Sequence, residues 1–420
     1  MKLIPWLAAG ALASGAGGSI AQVAPAFDPP KSSSASPVGI TFAAAVESAW
    51  QRAVVAREAH GQRQRADAER LAASSPWAAP PALGLSHRND RWRSNAGNRE
   101  TEIGLAWPLW LPGQRAARGA AAEAGIDVAD LARESARLQL AGEVREAAWT
   151  LVALQAELAQ ADALLSSLQG LAEDVERRVR AGDLARADFL AARAELLSAV
   201  AQQAGARQRS AAARGQWTLL TGLDAWPDAS ETAGPSGAAA ADVVMSHPEM
   251  RLAAQATEYA RRRIELVRAS RRDPPELTLG VRHEAPGRGE PTQNSFVIGL
   301  RLPFGTDSRN QPLQAAALSE LDVAQAREQR IRDRLSADAS AARMALLAAD
   351  QQLAAERDRA ALLRERAQLI DKSFRAGESP LPDLLRALAA SALADAALSR
   401  QQAAQGLARA RLQQAFGLLP

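Results

Sequence analysis

The most regular run of apolar residues lies between Val144 and Val179. Apolar side chains recur there at alternating steps of three and four residues, a spacing typical of a helix that packs along one seam in a coiled coil. The residues of this seam are Val144, Ala147, Leu151, Leu154, Leu158, Ala161, Leu165, Leu168, Ala172, Val175 and Val179. The pattern predicts a long helix that needs a helical partner.

A different period precedes the seam. In residues 82–107 apolar and polar side chains alternate with period two, with Leu83 and Leu85 in the first run and Ile103 and Leu105 in the second. A polar loop separates the two runs. This alternation predicts two β-strands joined as a hairpin.

Both patterns occur twice, and the second copy lies 195 residues after the first. The ending of the seam, Arg180-Ala181-Gly182-Asp183, returns as Arg375-Ala376-Gly377-Glu378. Other pairs at the same offset are Ile103-Gly104-Leu105 with Ile298-Gly299-Leu300, Pro108 with Pro303, and Asp188 with Asp383. An offset held over so long a stretch indicates two copies of one helix–hairpin–helix–helix unit.

The predicted domains follow from these patterns and from the placement of proline and glycine. They are a signal peptide at 1–21, an extended segment at 22–40, a first repeat at 41–223, a linker at 224–242 and a second repeat at 243–420. In the first repeat we expect a helix from Thr41 to about Ala73, a hairpin at 82–107, a long helix at 113–180 and a helix at 184–221. In the second we expect a helix at about 248–270, a hairpin at 276–302, a long helix at 312–374 and a helix at 382–416.

The N-terminus has the features of an export signal. Lys2 provides a positive start, a mostly apolar run follows, and Ser19-Ile20-Ala21 forms a small-x-small cleavage site before Gln22, with Ala24 as an alternative position. No later run of 18 or more apolar residues exists, so no membrane-spanning helix is predicted.

Composition supports an elongated helical protein. Hydrophobic residues make up 47% of the 420 residues, but many are alanine, and aromatic residues are only 4%. The chain has no cysteine, which excludes disulfides, thiolate metal sites, cysteine nucleophiles and a lipidated N-terminal cysteine. The net charge of +3 is small beside 50 basic and 47 acidic residues that are interspersed, so nucleic acid is not an expected partner.

The alternating strands suit a membrane β-barrel, with Leu, Ile and Val toward lipid and small or polar residues toward a wet lumen. We therefore predict a mainly α fold with a transmembrane β-barrel portion and an internal twofold repeat. The predicted lumen-facing charged residues are Arg88, Glu102, Arg282 and Arg301. Four strands cannot close a barrel, so two, three or four chains would have to combine.

Aromatic residues stand where the strands give way to helices. Trp107, Trp110 and Phe304 occupy these junctions, and we interpret them as an aromatic belt at the lipid headgroups. The alternative is ordinary packing between a strand and a helix.

The two repeated turns would lie at the far end of the helices. Gly182 and Gly377 fit the left-handed position that ends a helix. The carboxylates of Asp183 and Glu378 would interact favourably with the positive N-terminal end of the returning helix. A second interpretation is that these turns contact a partner or surround an entrance with charge. The residues of this candidate docking end are Arg180, Ala181, Gly182, Asp183, Asp188, Arg375, Ala376, Gly377, Glu378 and Asp383.

Nothing in the sequence predicts an enzyme, a cofactor or a metal site. The four histidines are isolated and no acid–base pair, phosphate loop or nucleophile motif accompanies them. His87 and His283 occupy comparable positions in the first strand of each hairpin. We favour solvated strand ends over a cation site near the pore mouth for this pair.

Taken in order, these features resemble the TolC family of outer-membrane efflux proteins, and in particular its cation and heavy-metal branch. The resemblance covers about Thr41 to Leu419 and rests on the signal peptide, the duplication, the two hairpins, the Ile-Gly-Leu…Pro ends and the Arg-Ala-Gly-Asp/Glu turns. It implies a homotrimer in the bacterial outer membrane, with a twelve-stranded β-barrel and a periplasmic α-helical tunnel. It also implies passive conduction and docking to a periplasmic adaptor and an inner-membrane pump of the resistance-nodulation-division type.

The second turn departs from the first, with Ser379-Pro380-Leu381-Pro382 where the first has Leu184-Ala185-Arg186-Ala187. The two turns therefore need not bind an adaptor equally. The alternative function is a periplasmic coiled-coil adaptor or a structural protein of an export complex. An adaptor would need a strand-rich domain flanking one hairpin, whereas here the strands lie between helices.

Overall fold

A computed structural model describes residues 39–92, 94–228 and 244–420. The predicted signal peptide, nearly all of the extended segment and most of the linker lie outside the described residues. In chain order the elements are α1 (Phe42–Arg52), α2 (Val54–Ser74), β1 (Ala82–Asn89), β2 (Arg99–Pro108), α3 (Gln114–Ala181), α4 (Arg186–Thr221), α5 (Pro248–Ala269), β3 (Glu276–Ala285), β4 (Gln293–Arg301), α6 (Asp307–Arg375) and α7 (Leu381–Ala415). No helix in this part of the chain is long and apolar enough to cross a membrane.

The elements confirm the predicted internal repeat. Each copy runs helix, hairpin, long helix, shorter helix, and corresponding helices end at glycines with left-handed backbone. The φ angles are 89° at Gly182 and 80° at Gly377, and 74° at Gly222 and 71° at Gly417. A side chain would be strained in this region, which explains why glycine stands at all four positions.

The long helices α3 and α6 extend through most of the molecule. The first half of α3 packs against α2 and α5, and its second half packs against α4 and α7. Helix α6 packs against α5 and then against α7. In the half that ends at the turns, α3 and α7 therefore lie between α4 and α6.

Two clusters of buried apolar residues hold this arrangement. The first joins α1, α3 and α4 around Val46, Trp50, Val144 and Trp217. The second lies near the turns and joins α3, α4, α6 and α7; its buried residues are Leu168, Ala172, Val175, Ala192, Leu196, Ala199, Phe374, Leu381 and Leu384. The predicted seam therefore belongs to both clusters, and its residues between 152 and 165 are partly exposed.

The prediction of one continuous helix from Thr41 to Ala73 is wrong. The helix is interrupted at Ala53, whose backbone is extended with φ −67° and ψ 137°. No proline or glycine marks this position. Helix α1 buries Phe42, Val46 and Trp50 against α3 and α4, while α2 runs along the first half of α3. Tertiary packing thus overrides a local sequence that favours a helix.

The predicted start of the second long helix at residue 312 is also wrong. Helix α6 begins at Asp307 and contains Pro312. Proline lacks an N–H, so one bond to the preceding turn is lost. Other contacts hold this turn: Asn310 N–H donates to Thr306 O at 3.1 Å, and the Arg309 guanidinium binds both oxygens of Asp273 at 2.6 and 2.7 Å.

The four strands form one antiparallel sheet in the order β1-β2-β3-β4. Its register places the apolar residues in three rows on one face. These rows are Trp107, Leu277 and Leu300; Leu83, Leu105, Leu279 and Ile298; and Leu85, Ile103, Val281 and Phe296. The sheet has two unpaired edges, β1 and β4.

Candidate functional site

The first turn joins α3 to α4 through a compact hydrogen-bonded ending. Gly182 N–H donates to Val179 O at 3.1 Å, and Asp183 N–H donates to Arg178 O at 2.9 Å. These bonds satisfy carbonyl groups that the end of a helix leaves free. The carboxylate of Asp183 lies ahead of α4, which begins at Arg186. The acid in the first turn of α4 is Asp188, so the expected interaction with the helix dipole belongs to Asp188.

The second turn joins α6 to α7 in the same way. Gly377 N–H donates to Phe374 O at 3.1 Å, and Glu378 N–H donates to Ser373 O at 3.0 Å. Ser373 and Ser379 add a hydroxyl–hydroxyl hydrogen bond of 2.6 Å across this turn. Asp383 is the acid in the first turn of α7.

Asp188 and Asp383 make different contacts because the residue three positions before each of them differs. The carboxylate of Asp188 accepts the N–H of Ala185 at 3.2 Å. Pro380 stands at the corresponding position of the second turn and has no N–H to donate. Asp383 instead pairs with Arg386 at 2.9 Å. The predicted inequality of the two turns therefore has a physical basis, although their binding to an adaptor stays a prediction.

The two turns lie side by side at one end of the molecule. The guanidinium of Arg178 lies 5.1 Å from the ring centre of Phe374 and is held by Asp174 at 3.0 Å. An open cavity of about 540 Å³ lies between the turns. Its lining includes Arg178, Asp183, Asp188, Phe374, Gly377 and Glu378. No sequence pattern marks Arg178 and Phe374 as part of this end, since only tertiary structure brings them together.

The remaining charged residues of the turns are paired within their own helices. Arg180 binds Glu176 at 2.5 Å, and Arg375 binds Asp371 at 2.9 Å. Ala181 ends α3 and Ala376 follows α6, and both are exposed. The exposed part of this end therefore contains backbone, small side chains, the carboxylates of Asp183 and Glu378, and the guanidinium groups of Arg180 and Arg375, which stay exposed although paired.

The apolar face of the sheet is open. Leu83 and Leu85 are each 71% exposed, and Phe296 and Ile298 are 66% and 68% exposed. Soluble proteins rarely leave so large an apolar area in contact with water. This face needs a cover that the described part of the chain does not provide.

The opposite face is polar and carries the four predicted lumen residues. Arg282 bridges two acids of the neighbouring strand, with Nε 2.9 Å from Glu100 and Nη2 2.9 Å from Glu102. Arg301 lies 3.8 Å from Glu276, and Arg88 stands opposite Glu100 in the register. Basic and acidic groups thus largely balance on this face, which suits a wet passage. That it lines a lumen stays a prediction.

Aromatic residues gather at the junction of sheet and helices. The rings of Trp107 and Trp77 lie 6.3 Å apart, and Trp110 Nε1 donates to Ser75 O at 3.0 Å. Phe304 is 87% exposed. Trp77 was not identified from the sequence because it precedes the strand in an irregular segment. Trp107 and Trp110 therefore also pack in the junction, and a role as a lipid belt stays a prediction.

The two strand histidines lie on the apolar side of the sheet, one row beyond the apolar rows. Their row is His87, Thr101, His283 and Asn294. They do not face the polar surface, so a cation site inside a pore mouth would have to lie elsewhere. Within the described residues, no group of three or more His, Asp and Glu is arranged to hold a metal ion.

Comparison with known proteins agrees with this geometry. The family model described as "Outer membrane efflux protein" matches residues 45–223, which is the first repeat. No curated protein sequence matches the chain.

Several solved structures share the fold. The structure of CusC, described in connection with transmembrane channel formation, has a TM-score of 0.75 at 18% identity and covers 91% of this chain and 93% of its own. VceC from Vibrio cholerae, an outer membrane protein, has a TM-score of 0.71 at 17% identity, with coverages of 90% and 96%. The open state of the MtrE channel from Neisseria gonorrhoeae has a TM-score of 0.70 at 20% identity, with coverages of 90% and 89%.

The family match of the first repeat and the shared fold of nearly the whole described chain confirm the resemblance inferred from the sequence. The first repeat thus matches the model of outer membrane efflux proteins, and nearly the whole described chain shares the fold of solved outer-membrane channels.

Proposed function

We propose that the chain forms the outer-membrane channel of a tripartite efflux system and conducts its cargo passively. The observation that carries this proposal is the sheet, which has a lipid-type apolar face and two unpaired edges. Lipid would cover the face, and further copies of the chain would pair with the edges.

The strand directions allow closure by identical copies. Strands alternate in direction from β1 to β4, so β4 of one copy meets β1 of the next in antiparallel orientation. This is a head-to-tail contact that closes into a ring. Three copies give twelve strands, which is the arrangement we propose.

The helices support the same closure. Helices α4 and α6 lie at the two sides of the helical half, and each leaves large apolar side chains exposed. On α4 these are Leu190, Leu197 and Val200, and on α6 they are Met344, Leu347, Leu362 and Leu369. Packing α4 of one copy against α6 of the next would bury both sets and continue the ring into a helical tunnel.

The turns at the end of the tunnel are the proposed docking site for the periplasmic adaptor, through which an inner-membrane pump supplies the energy. Their exposed backbone and small side chains allow close approach, and Asp183 and Glu378 provide charge at the entrance. Replacement of Gly182 or Gly377 by proline should impair export while the trimer still assembles. Loss of the trimer would make these turns structural elements and would contradict docking.

Metal cations or small toxic compounds are the proposed cargo. The resemblance of the sequence to the cation and heavy-metal branch supports metal cations, and the polar face of the sheet balances its arginines with Glu100, Glu102 and Glu276. Export assays with the native pump would decide between these cargo classes.

Cell fractionation tests the channel most simply. A channel should appear in the outer membrane as an oligomer that dissociates to monomers on heating. Recovery as a soluble protein or in the inner membrane would support the alternative of an adaptor or structural coiled coil.

A further inference from the structure

The two ends of the apolar sheet face differ in chemistry. At the helix end the face begins with Trp107, next to Trp77 and Trp110. At the loop end it is bordered by the row that contains His87 and His283.

The strand positions that border the loop end of this face include basic residues and no acid. Beyond the histidine row, the next row on this face is Asn89, Arg99 and Ala285. The nearby acids Glu100, Glu102 and Glu284 belong to the opposite face, because successive strand residues alternate between faces. The strand positions on this side therefore carry nitrogen groups and no carboxylate at this level, and the nearest acid of the adjoining loop, Asp90, accepts Ser94 Oγ–H at 2.8 Å and Ala96 N–H at 2.7 Å.

These groups are also available for a ligand. His87 Nδ1 lies 2.9 Å from Thr101 Oγ1 and His283 Nδ1 lies 2.8 Å from Asn294 Oδ1. Both hydrogen bonds fix the rings and leave Nε2 without a partner within the described residues. Arg99 is exposed, and no hydrogen bond or ion pair engages its guanidinium in the described part of the chain. Trp92, 96% exposed in the adjoining loop, adds a side chain suited to a lipid interface.

We propose that Arg99, His87 and His283 bind the phosphate groups of a phosphorylated glycolipid in the outer leaflet. The inference rests on the proposed membrane position of the sheet, since these residues would then lie where apolar lipid chains meet charged headgroups. Arginine and protonated imidazole donate to phosphate oxygens, and the apolar rows below them would contact the acyl chains. In a closed ring of copies the row would continue around the channel.

The test uses the full mature protein in phosphatidylcholine vesicles that contain increasing fractions of bis-phosphorylated lipid A. The temperature at which the oligomer dissociates should rise with lipid A content. Each cationic side chain near an anionic lipid surface contributes about fivefold to apparent affinity. The Arg99→Gln variant should need about five times more lipid A for half-maximal stabilisation, and adding His87→Gln and His283→Gln should increase this further.

Arg88→Gln is the matched control. Arg88 is exposed and lies next to His87 in sequence, but it belongs to the opposite face. Its dissociation temperature should rise with lipid A content as it does in the parent protein.

Three results would overturn the proposal. The triple variant could need no more lipid A than the parent for half-maximal stabilisation, dephosphorylated lipid A could stabilise the oligomer equally, or inorganic phosphate added to pure phosphatidylcholine vesicles could reproduce the effect. A protein that forms no oligomer in phosphatidylcholine alone would count against the channel itself, whereas a conducting oligomer indifferent to lipid A would refute only the lipid site.

Discussion

At the scale of single residues, the duplication allows corresponding residues of the two repeats to be compared within one chain. Corresponding residues in the two repeats share a local fold but differ in one neighbour, as Asp188 and Asp383 do at the starts of α4 and α7. Both carboxylates lie in the first turn of a helix and gain similarly from its dipole. A comparison of the two therefore sets the hydrogen bond that only Asp188 makes against the exposed ion pair that only Asp383 makes.

We expect Asp188→Ala to destabilise the start of α4 by about 0.5–1.5 kcal/mol, because it removes the acceptor for Ala185 N–H. Beyond the dipole interaction that both variants lose, Asp383→Ala loses only an exposed pair with Arg386, worth about 0.3 kcal/mol. Hydrogen exchange of the backbone amides around 185–192 and 380–387 measures both. Equal acceleration in the two variants would contradict the assigned hydrogen bond.

Gly280 is the second residue at which the structure predicts a specific effect of substitution on stability. A Cβ atom at this position would lie 2.8 Å from Ile103 O, whereas at Gly84 the nearest atom would be 3.7 Å away. Gly280→Ala should therefore destabilise the sheet by about 1–3 kcal/mol, with Gly84→Ala close to neutral. The dissociation temperature of the oligomer provides the measurement. A neutral Gly280→Ala would show that β2 and β3 approach less closely.

At the scale of elements, the periodic stretches were predictable and the interruptions were not. The seam, the hairpins and the glycines at 182 and 377 follow from local spacing and backbone preference. The break at Ala53 and the extension of α6 across Pro312 depend on contacts with other elements, so no local pattern marks them. The same holds for the candidate site: motifs identified the turns, whereas the contact of Arg178 with Phe374 arises only when α3 and α6 come together.

The start of α5 should make stability depend on pH. His247 is 3% exposed, and its Nδ1 accepts Glu249 N–H at 3.2 Å. Burial lowers the pKa of His247 below its ordinary value of 6.5, with Glu249, Arg334 and Asp338 as the charged groups around it. The unfolded chain then binds a proton more readily than the folded one, so stability is full above about pH 6.5 and falls as pH drops toward the lower folded pKa.

Thermal unfolding between pH 7.5 and 5 checks this expectation. His247→Asn keeps a side chain that can cap the helix but does not titrate in this range. The variant should have a flatter pH dependence than the parent. An identical slope in both proteins would assign the pH dependence to other groups.

At the scale of the whole molecule, the described residues leave surfaces that further copies of the chain would cover. Its sheet has two open edges, and α4 and α6 each expose apolar side chains that a neighbouring copy would cover. Alternating strand patterns could predict that several chains combine. They could not predict which helices meet, because that depends on the order α4, α3, α7, α6 across the helical half of the molecule.

Leu197 on α4 and Leu369 on α6 are each 58% exposed in the single chain. Leu197→Glu or Leu369→Glu would place a charge in the interface between copies, so the trimer should be lost while helix content is retained. Leu197→Met, which keeps an apolar side chain of similar volume, should still assemble. Light scattering and circular dichroism distinguish these results, and a stable trimer of both glutamate variants would contradict the proposed contact.

We propose that copies of this chain enclose a continuous path through the membrane. Conductance of the purified mature protein in planar bilayers tests it directly, with the parent compared to a variant carrying Asp183→Asn and Glu378→Gln at the tunnel entrance. We expect stepwise conductance that persists or increases when these charges are removed. Absence of conductance in both proteins, when both are trimeric and inserted, would contradict the channel.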